Sequence, residues 1–240
     1  MIYDKSGNQL HTVYVKDGSE LPRAYNKFGQ EIFSQRPKTF SVLGDSYSTF
    51  SDDVYPSTNV VWYDGTKNGV TNKNMTWYRL FEAASGIVLE RNASRSGSPI
   101  CYDGWGTGTD DAKYTCFVAR ANDVGDSDII FVFGGTNDSG IGVSVGEYKY
   151  SDWTESDMLS FRPALAKLLS ILVSAHSNSS IIFIKNTGLG SSYSDSIDTI
   201  CTHYSVPIIE LSNITKTNGH PTAVGMEQIS TQVKAYIDSH

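Results

Sequence analysis

From residue 39 onward, short apolar runs alternate with longer stretches of helical periodicity, and this alternation constrains the fold more than any other feature of the chain. The clearest run is Asp128-Ile-Ile-Phe-Val-Phe133, which ends in Gly134-Gly135. A run that short, apolar on both sides and closed by glycines, reads as a strand buried on both faces. Similar runs predict strands at 39–43, 87–91, 180–185 and 206–210. Helical stretches are expected at about 75–85, 110–123, 154–176, 194–204 and 222–238, the third opening on Ser151-Asp152-Trp153-Thr154-Glu155. Alternation of this kind implies a parallel sheet covered by helices on both faces, an α/β fold. Such sheets carry their sites at the carboxyl ends of the strands.

Four segments at strand ends or in late loops carry chemistry-bearing residues. Gly44-Asp45-Ser46-Tyr47 follows Thr39-Phe-Ser-Val-Leu43, so a buried strand would deliver Ser46 on a sharp glycine turn. Asn92-Ala-Ser-Arg-Ser-Gly97 follows the second strand, and a glycine there leaves a backbone N–H open to a substrate oxygen. Gly135-Thr136-Asn137-Asp138 follows the third, where an Asn side chain can donate its amide to an oxyanion. Gly219-His220-Pro221 lies late in the chain, with Pro221 suited to a first helical turn. Taken singly, each has a plain reading: Ser46 as a turn residue, Gly97 and Asn137 as turn formers, His220 as an exposed loop histidine like His11, His176, His203 and His240. Asp45 and Asp138 read as structural acceptors of loop backbone.

Together, Ser46, Gly97, Asn137 and His220 resemble the Ser, Gly, Asn and His blocks of the SGNH hydrolases, the GDSL esterase/lipase family, over about residues 39–240. The resemblance implies a three-layer α/β/α sandwich with a flavodoxin-like, five-stranded parallel sheet. It implies a Ser46 nucleophile, a His220 base and an oxyanion hole formed by the Ser46 N–H, the Gly97 N–H and the Asn137 amide, with no cofactor and no metal. One position departs from the family pattern. Three residues before His220, where the family carries an Asp, stands Thr217, and no carboxylate lies between Glu210 and His220. A Ser–His dyad, with a backbone carbonyl near Thr217 on the imidazole, is the favoured expectation, and an acid from elsewhere is the alternative.

The stretch from Ser48 to Asn74 is a long insertion directly after the nucleophile, and a second loop runs from Cys101 to Gly108. Their aromatics sit among Asp, Asn and Gly, a mixture suited to sugar rings, and Tyr47, Trp62, Tyr63 and Trp105 are the expected substrate-binding residues. The expected activity is therefore hydrolysis of carboxylic esters, with removal of short acyl (acetyl) groups from carbohydrate. A lipase or thioesterase for longer chains stays open, as does a catalytically weak carbohydrate-binding or structural module.

A formal net charge of −7 and the lack of a Lys/Arg cluster argue against a nucleic-acid partner. No apolar run approaches the ~20 residues of a membrane span. Met1-Ile-Tyr-Asp-Lys-Ser lacks the apolar core of a secretory signal, which points to the cytoplasm or a larger assembly unless a leader was removed. Cys101, Cys116 and Cys201 have no metal-ligand spacing and read as ordinary thiols, with a Cys101–Cys116 disulfide left open. Residues 1–37 form a separate β-rich extension ahead of the 38–240 domain. Two related pieces, Tyr3-Asp-Lys-Ser-Gly-Asn-Gln-Leu10 and Tyr25-Asn-Lys-Phe-Gly-Gln-Glu-Ile32, predict one or two hairpins that serve assembly or only extend the fold.

Overall fold

The computed structural model describes residues 2–3, 9–10, 23–25, 31–34, 37–103 and 109–240, with the side chains of 109–111 and of the first four strands left out. The chain divides into two units, Met1–Lys38 and Thr39–His240. In the first, β1 (Ile2–Tyr3) pairs antiparallel with β2 (Gln9–Leu10), and β3 (Arg23–Tyr25) pairs antiparallel with β4 (Glu31–Ser34). Tyr3 faces Gln9 and Tyr25 faces Glu31, so the two related sequence pieces pair in equivalent register. The segment His11-Thr-Val-Tyr-Val15 lies outside the described residues.

The second unit is built on β5 (Thr39–Gly44), β6 (Val88–Asn92), β7 (Ile129–Phe133), β8 (Ser180–Lys185) and β9 (Ile208–Glu210). All four pairings are parallel, in the order β6-β5-β7-β8-β9. This is the flavodoxin-like order, whose winding reverses between β5 and β7 and opens a crevice at their carboxyl ends. Among the described residues, six α-helices accompany it: α1 (Trp77–Ser85), α2 (Thr109–Thr115), α3 (Thr136–Ile141), α4 (Phe161–Ala175), α5 (Ser191–His203) and α6 (Ala223–Ser239). A two-residue ladder of β10 (Lys216–Thr217) and β11 (His220–Pro221) precedes α6.

Alternation along the strands sorts side chains to the two faces. Phe40, Val42, Phe131, Phe133, Ile182 and Ile184 pack with Trp77 and Phe81 of α1 and Met226, Ile229 and Val233 of α6. Leu43, Ile130, Val132, Ile181 and Phe183 pack with the leucines of α4 and with Ile197 and Ile200 of α5. The result is the three-layer sandwich, and each buried Phe or Leu contributes about 1.5–3 kcal/mol to it.

Local chemistry moves several expected boundaries. Helix α4 begins at Phe161, not near 154, because the Asp157 carboxylate accepts the Thr154 N–H at 2.6 Å and its hydroxyl at 2.7 Å, closing a tight turn first. Pro163 then falls in the first turn of α4, where its missing N–H costs nothing. The stretch expected as a helix over 110–123 stops at Thr115. The Thr115 carbonyl, which a continuing helix would offer to the Ala119 N–H, accepts from Arg120 Nε and the Ser98 hydroxyl instead, each at 2.8 Å. Pro221 lies in β11 rather than in a helix, and Thr222 caps α6 by accepting the Gly225 N–H. The six-residue α3 was not anticipated. Cys101, Cys116 and Cys201 are buried free thiols, so no Cys101–Cys116 bridge forms. His176 is not an exposed loop residue, since its side chain is nine-tenths buried, and His203 belongs to α5.

Candidate active site

The site opens where β5 ends. A Cβ on Gly44 would stand 2.5 Å from Ser94 Oγ and 2.7 Å from Ser48 Cβ, so only glycine allows so close an exit from the sheet. Asp45 caps the single 3₁₀ turn Ser46–Ser48 by accepting the Tyr47 N–H at 3.0 Å. Burial pushes the Asp45 carboxyl up to about 7, against the pull of that N–H and of the Thr136 hydroxyl. The turn leaves Ser46 recessed, only 6% exposed.

Ser46 Oγ lies 2.9 Å from His220 Nε2, across 174 residues of sequence. His220 Nδ1 lies 3.0 Å from the Asn218 carbonyl. A carbonyl can only accept, so Nδ1 carries the proton and Nε2 presents its lone pair to the serine. The neighbour of Nδ1 is therefore a backbone oxygen, and among the described residues no carboxylate bonds to either ring nitrogen. Burial lowers the His220 pKa from its ordinary value, and the Lys216 and Lys67 charges lower it further, while the Asn218 bond works the other way.

The other two blocks converge on the same crevice. Gly97 sits at φ 74°, a left-handed conformation that suits glycine, with open space where a Cβ would be. Neither the Ser46 nor the Gly97 N–H donates to an acceptor among the described residues. Asn137, in the first turn of α3, donates its amide to the Ser98 carbonyl at 2.9 Å, which sets its orientation beside Gly97. Asp138 accepts the Ile100 N–H on both oxygens, at 3.0 and 2.9 Å, and the Cys101 N–H at 3.2 Å, and so holds the Gly97 loop to α3. Its burial pushes its carboxyl up to about 6. A serine hydroxyl on a neutral imidazole, beside N–H donors, can attack a carbonyl and hold the resulting oxyanion.

Two residues unforeseen in the sequence tie these parts together. The fully buried Arg120 guanidinium donates to the carbonyls of Gly44, Ala93 and Thr115 and to Ser98 Oγ. It thus joins the strand before the nucleophile to the Gly97–Ser98 loop. Asn68, at φ 53° in a turn of the insertion, donates Nδ2 to the Thr217 carbonyl at 2.8 Å and the His220 carbonyl at 3.0 Å. Asn68-Gly69 signals a turn in the sequence; nothing there signals its contact with the histidine loop.

The aromatics expected to bind substrate have other contacts. Tyr47, 2% exposed, donates its hydroxyl to the Gly219 carbonyl at 2.5 Å, and Tyr63, fully buried, donates to the Pro221 carbonyl at 2.7 Å. Both fasten the histidine loop, and neither presents an open face to a sugar. Trp62 is half-buried and stacks on His220, with ring centroids 3.8 Å apart and planes 10° from parallel. Trp105 lies outside the described residues. Among the described residues no group of three or more His, Cys, Asp or Glu is placed to hold a metal ion, and no helix is long and apolar enough to cross a membrane.

Residues 38–237 match the GDSL-like lipase/acylhydrolase family, and the chain belongs to it. Among solved structures, it is similar to a protein described as a GDSL-like lipase from Bacteroides ovatus, at 40% identity and a TM-score of 0.83 over 86% of this chain and 100% of that one. A counterpart from Bacteroides uniformis shows 41% identity and a TM-score of 0.82 over 86% of this chain and 98% of that one. A family two carbohydrate esterase from Clostridium thermocellum, in complex with cellohexaose, shares the fold at 13% identity and a TM-score of 0.54, over 88% of this chain and 67% of that one. No curated protein sequence matches the chain.

Proposed function

We propose that this member of the family is a serine esterase that removes short acyl groups, acetyl foremost, from carbohydrate. The observation that carries the reading is the 2.9 Å contact of Ser46 Oγ with His220 Nε2, on an imidazole whose other nitrogen is held by a carbonyl. In the proposed reaction Ser46 Oγ attacks the ester carbonyl while its proton passes to His220 Nε2. The oxyanion is received by the Ser46 and Gly97 N–H groups and the Asn137 amide. The imidazolium then protonates the departing alcohol, and water, deprotonated by His220, releases the acid.

The short acyl group is supported by recession: Ser46 is 6% and Asn137 8% exposed, which favours a small group beside the reacting carbon. Among the described residues, the exposed large aliphatic side chains Val60, Val88, Leu159, Val173 and Val224 stand on different elements. The sugar is supported by the insertion around the site, where Tyr55 is half-exposed with the Arg91 guanidinium 4.4 Å from its ring. The carbohydrate esterase of Clostridium thermocellum is a parallel in fold.

The test is hydrolysis of p-nitrophenyl acetate, butyrate and octanoate by the wild type and Ser46→Ala in the presence of EDTA. Turnover that favours acetate and disappears in Ser46→Ala supports the proposal. A preference for octanoate would replace it with a lipase or thioesterase. Absence of Ser46-dependent turnover on all three would leave a binding module.

A further inference from the structure

This inference rests on the reading of Ser46 and His220 as the reacting pair. An Asp beside a catalytic histidine does two things: it fixes the ring's tautomer and stabilises the imidazolium that forms when the serine proton arrives. The Asn218 carbonyl does the first. It is a neutral dipole, and the surroundings of His220 otherwise oppose charge, through burial and through the cations Lys67 and Lys216.

Trp62 supplies what is missing. Its indole lies on the imidazole at 3.8 Å and 10°, so the electron-rich face of the largest aromatic side chain covers the ring that becomes a cation. The backbone of Trp62 is tied to the nucleophile turn, while its indole N–H has no partner among the described residues, so the ring is placed by its backbone and by the stack. The Trp62 backbone N–H donates to Thr49 Oγ1 at 2.8 Å, and the same Thr49 hydroxyl donates to the Ser46 carbonyl at 3.0 Å. Lys67 Nζ donates to the Trp62 carbonyl at 2.8 Å, and the following residue, Tyr63, is bonded to the His220 loop through Pro221.

We propose that Trp62 is a positioning residue that replaces the family's carboxylate: its π face stabilises the His220 imidazolium as the proton moves from Ser46 Oγ to Nε2. The other groups around the ring do not perform this role. Tyr47 and Tyr63 approach it tilted or edge-on, with centroids 5.5 and 6.5 Å away, and are neutral phenols. Lys216 is bonded to Asn186 Oδ1 and the Thr187 carbonyl. Lys67, 5.0 Å from the indole centroid, is paired with Asp64 at 2.9 Å. Asp45 bears on Tyr47 and Lys216 rather than on the imidazole.

The experiment is the pH dependence of kcat and KM on p-nitrophenyl acetate, from about pH 4.5 to 8, for the wild type, Trp62→Phe and Trp62→Leu, with Ser46→Ala as background. Leucine keeps the ring covered and removes the π face. Without that face the imidazolium is less stable and His220 is a weaker base. The acid limb of kcat/KM should therefore move down by about one pH unit and kcat should fall about tenfold, with KM within about twofold. Trp62→Phe should retain at least about a third of kcat and show the smaller shift. The proposal is overturned if the acid limb stays or rises in Trp62→Leu, if the loss lies in KM, or if Phe and Leu lose equally. Were Ser46→Ala to keep wild-type turnover, the reacting pair itself would be wrong, an outcome distinct from a silent Trp62 in a Ser46-dependent enzyme.

Discussion

Arg120→Met tests whether one buried cation holds two parts of the site together. The guanidinium makes four bonds: to Thr115 O at 2.8 Å, Gly44 O at 3.2 Å, Ser98 Oγ at 2.9 Å, and Ala93 O. Methionine fills similar space and donates nothing. The Gly44 carbonyl keeps the Arg95 N–H at 3.1 Å, and the Thr115 carbonyl keeps the Ser98 hydroxyl at 2.8 Å. Ala93 O retains no partner among the described residues, and stranding one buried carbonyl costs about 1–3 kcal/mol. The lost charge-assisted bonds add about 1.5–3 kcal/mol each. Against this stands relief from burying a cation, several kcal/mol, since burial already lowers the Arg120 pKa to about 10. The net expectation is a loss of at least about 3 kcal/mol, or a Tm lower by at least about 6 °C for a unit of this size. Because Gly44 leads to Ser46 and Ser98 follows Gly97, kcat should fall by more than KM rises. Differential scanning calorimetry and ester kinetics read both. A Tm within about 2 °C of wild type would show that desolvation cancels the bonds and that the clamp argument fails.

His220 must be neutral to act, and its pKa is lowered, so the acid limb of kcat/KM should lie below the ordinary value of 6.5; a limb above it would contradict the burial argument. Thr217 stands opposite His220 in the β10–β11 ladder, so Thr217→Asp should raise that limb and leave kcat/KM at neutral pH within about threefold; a tenfold gain would mean that carbonyl and indole are poor substitutes for the acid. Asn137→Ala should lower kcat by about a hundredfold and, because the buried Ser98 carbonyl loses its donor, cost about 1–3 kcal/mol of stability; a folded variant whose kcat falls less than about threefold would refute the oxyanion role on stopped-flow kinetics. Asp45 has a folded pKa raised to about 7 from 3.8, so its contribution is full below about pH 4 and is lost as pH rises toward 7. Asp45→Asn, which keeps an acceptor for the Tyr47 N–H, should gain in Tm over wild type as pH rises from 4 to 8, and a pH-independent difference would refute the shift.

The sheet was legible because its strands carry their own evidence: Ile129 to Phe133 is apolar at every position, and a strand buried on both faces demands that. The residues of the proposed site were legible because each follows a strand or a turn with its own local signature. The supports were not, because their partners are backbone atoms remote in sequence. Arg120 reads as a charge on a helix, yet its own bond to the Thr115 carbonyl replaces the helical bond that would have continued α2. Tyr47 and Tyr63 read as sugar platforms because composition cannot tell an aromatic whose hydroxyl meets solvent from one whose hydroxyl meets the Gly219 or Pro221 carbonyl. Boundaries failed where a side chain competed with the backbone, as Asp157 does with the start of α4.

The insertion and the absent carboxylate are best explained together. A β10–β11 ladder of two residue pairs is too short to hold a loop alone, and the residue that would ordinarily brace its histidine is a threonine. Tyr47, Tyr63 and Asn68 donate to the carbonyls of Gly219, Pro221, Thr217 and His220, so side chains from the nucleophile turn and the insertion fix the histidine backbone from outside. At about 1 kcal/mol for each such bond, the set outweighs the ladder's own contribution. A histidine held that firmly at its backbone needs its ring steered only in rotation about its side-chain bonds. One carbonyl at Nδ1 and one flat indole against the face are enough to do that. On the proposed mechanism, a carboxylate at position 217 would add charge to a ring whose geometry is already set, which is the reason Thr217→Asp is expected to change the rate at neutral pH so little.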